Sequence, residues 1–159
     1  MIDRKETTKL LSEHLEHYIN PKLDPRIYWA KEVTFNYGTP EQFRVDYMKY
    51  IPLNNSVSGL EHGDVYCFEI KSCMEDFNSG HGLNFVGDYN YVVCPNDMEN
   101  EVRKYLPYNV GIMVPTNDKF NPFNLTIAKK AHRTDRKKPL LECIFMMYRS
   151  FQRDERKGH

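Results

Sequence analysis

Apolar positions in the first twenty residues recur with a helical period. The apolar stripe consists of Leu10, Leu11, Leu15, Tyr18 and Ile19. Asp3 precedes this stripe and Glu6 follows three residues later, which is the spacing of a capping box. Because proline cannot continue a helix, Pro21 marks its end. The pattern therefore predicts an amphipathic helix between Asp3 and Pro21.

The following segments alternate between apolar and polar positions or are short apolar runs. Strands are predicted at residues 27–35, 42–51, 64–72, 89–95 and 109–115. A helix is predicted at 96–106, and a helical tail at 124–154 is broken near Pro139. We expect a loop at 52–63 and a short helical turn followed by a loop at 73–88. This order predicts an α/β fold in which helices flank a mixed central β-sheet.

Length and composition are those of one globular domain, which we assign to residues 1–159. Hydrophobic residues make up 40% of the chain. Lys+Arg and Asp+Glu both number 22, so the zero net charge gives no argument for a polyanionic partner. No apolar run approaches the roughly 20 residues of a membrane span, and the N-terminus lacks the apolar region of a signal peptide. We therefore expect a cytoplasmic protein with no membrane partner.

The four cysteines do not form a recognisable motif. They occur at positions 67, 73, 94 and 143, and no two are spaced as C-x-x-C. Together with His62 and His81 they also lack zinc-ligand spacing. We expect reduced thiols that pack as small hydrophobic side chains.

The strand sequence "GDVYCFEIKS" carries two opposite charges near its end. Alternation places Glu69 and Lys71 on one side with the residues at 65 and 67, whereas Tyr66, Phe68 and Ile70 take the core side. One interpretation is an ordinary ion pair between the two charged side chains at the surface. The other is that the two charges meet a ligand.

A second acid favours the ligand interpretation. Asp46 lies 23 residues before Glu69, in the middle of the preceding strand. Adjacent antiparallel strands can bring two such carboxylates together across the ladder. Because they repel unless a cation bridges them, the pair is suited to Mg²⁺ or Mn²⁺. Lys71 would then orient water and stabilise charge on a phosphate.

An ordered series of short motifs resembles the PD-(D/E)xK nuclease superfamily, and more specifically its small MmcB-like branch associated with DNA repair and mobile elements. The matching segments are "KEV" with Glu32, "FRVD" with Arg44 and Asp46, "FEIKS" with Glu69 and Lys71, "EDF" with Asp76 and Phe77, "YVVCP" from Tyr91 and "VGIMV" from Val110. The resemblance covers about residues 28–115 and, more loosely, the tail.

The resemblance implies a restriction-endonuclease-like core and a metal-dependent endonuclease that cleaves phosphodiester bonds in DNA. In that family pattern, Asp46, Glu69 and the backbone carbonyl of Ile70 hold Mg²⁺ or Mn²⁺, and Lys71 acts in catalysis. Glu32 matches a third catalytic acid, although Glu13 on the first helix competes for that role.

One segment departs from the family pattern. Relatives carry a helix with a Lys-Trp pair after the "DF" motif, whereas this chain has the shorter "NSGHGLNFVGD" at 78–88. His81 at its centre is a candidate replacement as a phosphate contact or proton carrier, or else an exposed loop residue. Asp76 has a structural alternative as the N-cap of a turn.

The most asymmetric charge distribution lies between residues 128 and 139, where a single acid, Asp135, is outnumbered by cations. The basic residues are Lys129, Lys130, Arg133, Arg136, Lys137 and Lys138. Backbone phosphates of DNA are a natural partner, and a solvated helix end is the alternative.

A homodimer or partner protein also stays open. The competing functions are a non-catalytic nucleic-acid-binding or repair-accessory protein and a structural α/β domain.

Overall fold

The computed structural model describes residues 3–21 and 23–158. In chain order the elements are α1 (Arg4–Ile19), β1 (Tyr28–Phe35), β2 (Phe43–Ile51), α2 (Val57–Glu61), β3 (Asp64–Ile70), α3 (Met74–Asn78), β4 (Tyr89–Val93), a 3-10 turn (Asn96–Met98), α4 (Glu99–Tyr105), β5 (Gly111–Pro115), β6 (Leu125–Lys129) and α5 (Leu140–Lys157). The predicted helix α1 is present, and the Asp3 side chain accepts a hydrogen bond from the Glu6 N–H at 2.8 Å.

The six strands form one open mixed sheet in which the spatial order follows the chain order. Strands β1, β2 and β3 pair antiparallel, β3, β4 and β5 pair parallel, and β6 returns antiparallel to β5. This arrangement confirms the predicted α/β fold with a mixed sheet flanked by helices. The parallel strands need crossover connections, and these carry α3 and α4.

Both faces of the sheet are buried. On one face α1 packs its buried residues Leu11, Leu15 and Ile19 into a cluster with the central strands. On the other face α5 covers β1 to β3, and α4 covers β4 and β5. The prediction of a single core side for β3 is therefore wrong, because Val65 and Cys67 are as buried as Phe68. A sheet covered on both faces is typical of strands with nearly continuous apolar sequence.

The predicted helical tail at 124–154 is wrong in its first half. Residues Leu125–Lys129 form the edge strand β6, and α5 begins only after Pro139. The β-branched residues Thr126 and Ile127 favour a strand, and pairing with β5 stabilises β6 in that conformation. The expected loop at 52–63 also contains the short helix α2, capped by the Ser56 side chain.

All four cysteines are free thiols, as the spacing predicted. Cys67, Cys94 and Cys143 are buried, and Cys73 is half-buried at the start of α3. Burial raises the pKa of the Cys94 thiol to about 12 and that of Cys143 to about 11. Within residues 3–21 and 23–158, no helix is long and apolar enough to cross a membrane.

Candidate active site

Strand alternation is interrupted where two of the predicted acids occur. On β1, Ala30 and Val33 both pack into the cluster under α5, although regular alternation would place them on opposite faces. Glu32 lies between them with a φ of 53°, in the left-handed region. On β2, Val45 and Met48 likewise share that cluster. Because both strands depart from regular alternation here, Glu32 and Asp46 lie outside the buried core and line the cleft.

The structure brings Asp46 and Glu69 together. The β2–β3 ladder has its last regular pair at Tyr47 and Phe68, next to the two acids. Beyond that pair, the side chains replace backbone bonds: the Asp46 carboxylate accepts from the Ile70 N–H at 2.9 Å, and Glu69 Oε1 accepts from the Asp46 N–H at 3.3 Å. Proximity of the two carboxyl groups, which the 23-residue spacing predicted, is therefore a feature of the fold.

Glu69 is a buried acid that lies next to the carboxyl group of Asp46. Burial, and then the charge and hydrogen bond of Asp46, raise the pKa of Glu69 well above its ordinary value. The Asp46 N–H and the charge of Lys71 oppose this shift and do not cancel it. A carboxylate in this environment gains from any cation that approaches it.

Lys71 is buried beside the acids but does not pair with Glu69. Its ammonium group donates to the backbone carbonyl of His81 and lies 3.6 Å from the Asp76 carboxylate, which also binds Arg4 at 3.2 Å. The interpretation of Glu69 and Lys71 as a surface ion pair is therefore wrong, because both residues are about 95% buried and Lys71 has another partner. The N-cap alternative for Asp76 is also wrong, since Asp76 lies inside α3 and Cys73 is its N-cap.

The loop at residues 80–82 lines the cleft and packs against the Glu69 side chain. Gly80 and Gly82 both have positive φ, and a Cβ at Gly82 would lie 2.6 Å from Glu69 Oε2. Only glycine therefore lets this loop approach the Glu69 carboxylate while the His81 carbonyl accepts from Lys71. Sequence reasoning missed this role of Gly82, although two glycines flanking His81 were the visible signal. The His81 residue itself is exposed.

The two candidates for a third acid occupy different positions on the same cleft. Glu32 is half-exposed, and its backbone carbonyl accepts from Ser150 and Arg153, each at 3.2 Å. Its carboxylate lies 3.9 Å from the Arg153 guanidinium. Glu13 is exposed on α1 and forms no ion pair or hydrogen bond within the described part of the chain. Glu32 is thus held by α5, whereas Glu13 is free to meet a ligand.

An open cleft of about 1140 Å³ connects these residues. It lies at the end of the sheet where β2 begins and β3 ends, between α1 and the 80–82 loop. Its lining includes Asp46, Glu69, Lys71, Glu32, Glu13, His81, Arg44 and Lys9. Of these, Arg44 and Lys9 are exposed cations without an ion pair or hydrogen bond to any described residue. Acids and unpaired cations thus share one solvent-filled space.

The donor set at the cleft fits a hard divalent cation only in part. Within the described residues, no group of three or more His, Cys, Asp or Glu side chains is arranged to hold a metal. Two adjacent carboxylates, from Asp46 and Glu69, are available. Mg²⁺ is commonly bound by one or two carboxylates while water and substrate phosphate complete its shell. The two carboxylates therefore fit such an ion. Ile70 contacts Asp46 through its backbone N–H, and its carbonyl has no shown role at the site.

The predicted basic segment is mostly engaged within the fold. Lys129 donates to the Pro107 carbonyl, Lys137 to the Asn84 carbonyl, and Lys138 to the Asn36 side chain. None of the six basic residues lines the acid cleft. Lys130 alone is an exposed cation without such a contact to the described residues. Five of these six side chains therefore make contacts within the fold, and their role as phosphate contacts stays a prediction.

The arginines of that segment enclose a second buried acid, Asp88. Its carboxylate accepts from the Val65 N–H at 2.8 Å and from Arg136 at 2.9 Å, and Arg133 lies 3.6 Å away. Arg133 also binds Asp64 at 3.1 Å. We call Asp88, Arg133 and Arg136 the arginine cluster. It lies at the beginning of β3, whereas the acid cleft lies at the end of that strand.

No family model and no curated protein matches this chain. Among solved structures, the chain is similar to the SPO1766 protein of unknown function from Silicibacter pomeroyi. The superposition covers 96% of this chain and 88% of that chain, with a TM-score of 0.59 and 15% sequence identity. At this identity the similarity concerns the fold.

Proposed function

We propose that the acid cleft hydrolyses phosphodiester bonds, most favourably in DNA, with Mg²⁺ or Mn²⁺ as the cofactor. One observation carries the proposal: two carboxyl groups from adjacent strands, Asp46 and Glu69, meet beside the buried ammonium of Lys71 at an open cleft. The order of motifs supports assignment to the PD-(D/E)xK superfamily and its MmcB-like branch. A cytoplasmic protein with a role in repair or in mobile elements belongs to the same proposal, and free buried thiols are compatible with a reducing compartment.

The roles follow from chemical type. Asp46 and Glu69 would hold the cation, with the Ile70 carbonyl as an additional ligand. When bound, the cation would neutralise phosphate charge and lower the pKa of a water molecule. Lysine has three donors, of which one donates to the His81 carbonyl, while the Asp76 carboxylate lies 3.6 Å away as an ion-pair partner. Because Lys71 lines the cleft, a remaining donor would contact an attacking water or a phosphate oxygen and stabilise the charge that develops during hydrolysis.

The phosphate contacts are assigned to the rim of the cleft. Arg44 and Lys9 are exposed cations that line the same cleft as the acids and have no ion pair with a described residue. A guanidinium binds phosphate in a bidentate manner, and Arg44 is therefore the stronger candidate. From the basic segment, Lys130 is the first candidate because its side chain has no contact with a described residue, and the other five stay candidates. His81 is a further exposed rim residue. Glu32 or Glu13 would serve as the third acid.

A specific observation also favours a second function, a non-catalytic nucleic-acid-binding or repair-accessory protein. Both carboxylates accept backbone N–H groups that complete the β2–β3 ladder, and Lys71 anchors the 80–82 loop. These contacts stabilise the fold without any metal. A site of this kind would keep its geometry in a protein that does not cleave nucleic acid.

Calorimetric titration with Mn²⁺, run beside cleavage of plasmid and branched DNA, separates the two functions. We expect Asp46→Ala to lose Mn²⁺ affinity and cleavage together, because a ligand is removed. Lys71→Ala should retain Mn²⁺ binding and lose about two to three orders of magnitude in cleavage rate, the effect of removing one preorganised electrostatic contact. Glu61→Ala, an exposed acid on α2 outside the cleft, is the matched control and should change neither.

Circular dichroism and melting curves for each variant show whether loss of activity reflects loss of folding. Wild-type protein that binds Mn²⁺ and DNA without cutting either substrate would favour the accessory function. Wild-type protein that binds no Mn²⁺ would overturn the metal site and leave Asp46 and Glu69 with their structural contacts alone.

A further inference from the structure

Helix α5 has apolar residues on two sides. Its buried side, with Cys143, Met147 and Ser150, covers β1 to β3. Its other apolar residues are large and accessible, with exposed fractions of 81% for Leu141, 54% for Phe145, 57% for Tyr148 and 51% for Phe151. A surface helix normally exposes polar residues on the side that faces water.

The exposed residues form a continuous stripe. Leu141, Phe145 and Tyr148 are separated by four and three residues, so they lie one above the other on one face of α5. Phe151 extends the stripe by one further turn. At 100° per residue, the first three of these residues lie roughly opposite to Cys143 and the rest of the buried side, whereas Phe151 lies at the edge of the stripe nearest the buried side. We call these four residues the α5 stripe.

The size of the α5 stripe suits a small protein interface. An aromatic side chain covers about 150–250 Å² when fully buried, so half-exposed Phe and Tyr each offer about 100 Å². With Leu141 the stripe offers on the order of 400–500 Å². A standard interface takes about 800 Å² from each partner, which includes a polar rim. The stripe therefore supplies the apolar centre of an interface at the low end of that range, and its charged flank supplies part of the polar rim.

The charges beside the stripe are self-complementary, because one flank of α5 carries both an acidic and a basic residue. Glu142 and Arg149 are seven residues apart, which places them two turns apart on the same flank of α5. Arg149 is exposed and has no ion pair or hydrogen bond with a described residue. Glu142 pairs with Lys138 at 3.3 Å and stays partly exposed. In a two-fold antiparallel pair of helices, each end of one flank faces the opposite end of the same flank in the other copy.

We propose that α5 is a homodimer interface in which two copies of this chain pack their α5 stripes antiparallel about a two-fold axis. Phe145 then lies next to the axis and meets its own copy, while Glu142 of each copy faces Arg149 of the other. A second copy is the occupant that matches both the apolar stripe and the order of the two charges. This inference does not rest on the proposed hydrolysis of phosphodiesters.

A charge-reversal experiment tests the pairing directly. Sedimentation equilibrium over a concentration series should show wild-type protein as a dimer with a dissociation constant on the order of micromolar, as expected for a small interface. Glu142→Lys and Arg149→Glu each place like charges opposite one another twice, and each should raise that constant at least tenfold. Phe145→Ser should raise it further, because the contact at the axis is lost.

An equimolar mixture of the two charge variants should restore a dimer. The introduced lysine of one variant then faces the introduced glutamate of the other, while Arg149 of the first faces Glu142 of the second. Melting curves of each variant show that the fold is retained. A wild-type protein that is monomeric throughout, single reversals that leave the dimer unchanged, or a mixture that stays monomeric would each overturn the proposed interface.

Discussion

Two buried carboxyl groups lie at opposite ends of β3, and their surroundings differ. Asp88, at the beginning of the strand, is held by Arg136, by the more distant Arg133 and by the Val65 N–H. Glu69, at the end of the strand, has another acid as its nearest charged neighbour, and burial raises its pKa well above the ordinary value. Asp88 is ion-paired within the fold, whereas Glu69 forms hydrogen bonds but no ion pair with a described residue.

The difference separates a structural ion cluster from a candidate binding site. A buried charge costs free energy unless it is paired and hydrogen-bonded, and the arginine cluster supplies both kinds of partner. The acid cleft instead concentrates two carboxyl groups beside open solvent and leaves compensation to a ligand. An uncompensated buried acid in a cleft is therefore a better guide to function here than the density of charges in the sequence.

The largest effect is expected when the arginine cluster is broken. Asp88→Ala leaves Arg136 and the Val65 N–H without their acceptor, and should destabilise the protein by about 3–5 kcal/mol. For a chain of this length that corresponds to a fall in Tm of about 6–20 °C, measured by calorimetry. The matched control is Asp64→Ala, which removes a partly exposed partner of Arg133 and should cost about 0–1 kcal/mol. Equal losses for the two variants would contradict the comparison.

A smaller loss is expected at the loop that covers the cleft. Gly82→Ala combines a positive φ with a Cβ 2.6 Å from the Glu69 carboxylate, and should cost about 2–3 kcal/mol. Gly80→Ala shares the positive φ but meets nothing within 4 Å, so it should cost only about 1 kcal/mol. Urea unfolding measures both. Mn²⁺ affinity should fall for Gly82→Ala alone, and a similar fall for Gly80→Ala would contradict the contact with Glu69.

Replacing the unpaired acid should stabilise the protein by a few degrees in Tm at neutral pH. Because the pKa of Glu69 is raised by folding, the folded state holds a proton that the unfolded state releases above about pH 4.3. Wild-type stability therefore falls as pH rises from that value towards the folded pKa, and Glu69→Gln does not share this loss.

Melting curves from pH 4 upwards check this prediction. The difference between Glu69→Gln and wild type should be small near pH 4 and grow as the pH rises. Mn²⁺ should raise the Tm of wild type and leave that of the variant unchanged. A variant less stable than wild type at neutral pH would show that the charged form of Glu69 is already compensated.

The smallest effect concerns the unpaired cations of the cleft. If Arg44 and Lys9 contact phosphates, the double variant Arg44→Ala and Lys9→Ala should weaken DNA binding similarly across sequences. The slope of log affinity against log salt should decrease by about 1 for each cation removed. Lys119→Ala is the matched control, an exposed cation outside both the cleft and the basic segment, and it should leave the slope unchanged. Loss of binding for one sequence only would indicate base contacts instead.

The sequence by itself determined most of the elements and the main pair of acids. The capped helix α1 and strands β1 to β5 follow from apolar periodicity and turn residues, because these signals are local. The proximity of Asp46 and Glu69 follows from two adjacent strands joined by a short connection. Each inference needed only residues close in the chain or a single strand pairing.

Only the tertiary structure decided which charges are free. Arg136 and Lys137 resemble Lys130 in sequence, yet contacts with residues more than forty positions away engage the first two. The left-handed backbone conformation of Glu32 and the approach of Gly82 to Glu69 likewise depend on contacts between segments that are distant in the chain. Burial and pairing are properties of the assembled molecule, so local patterns predict where charges occur and not what compensates them.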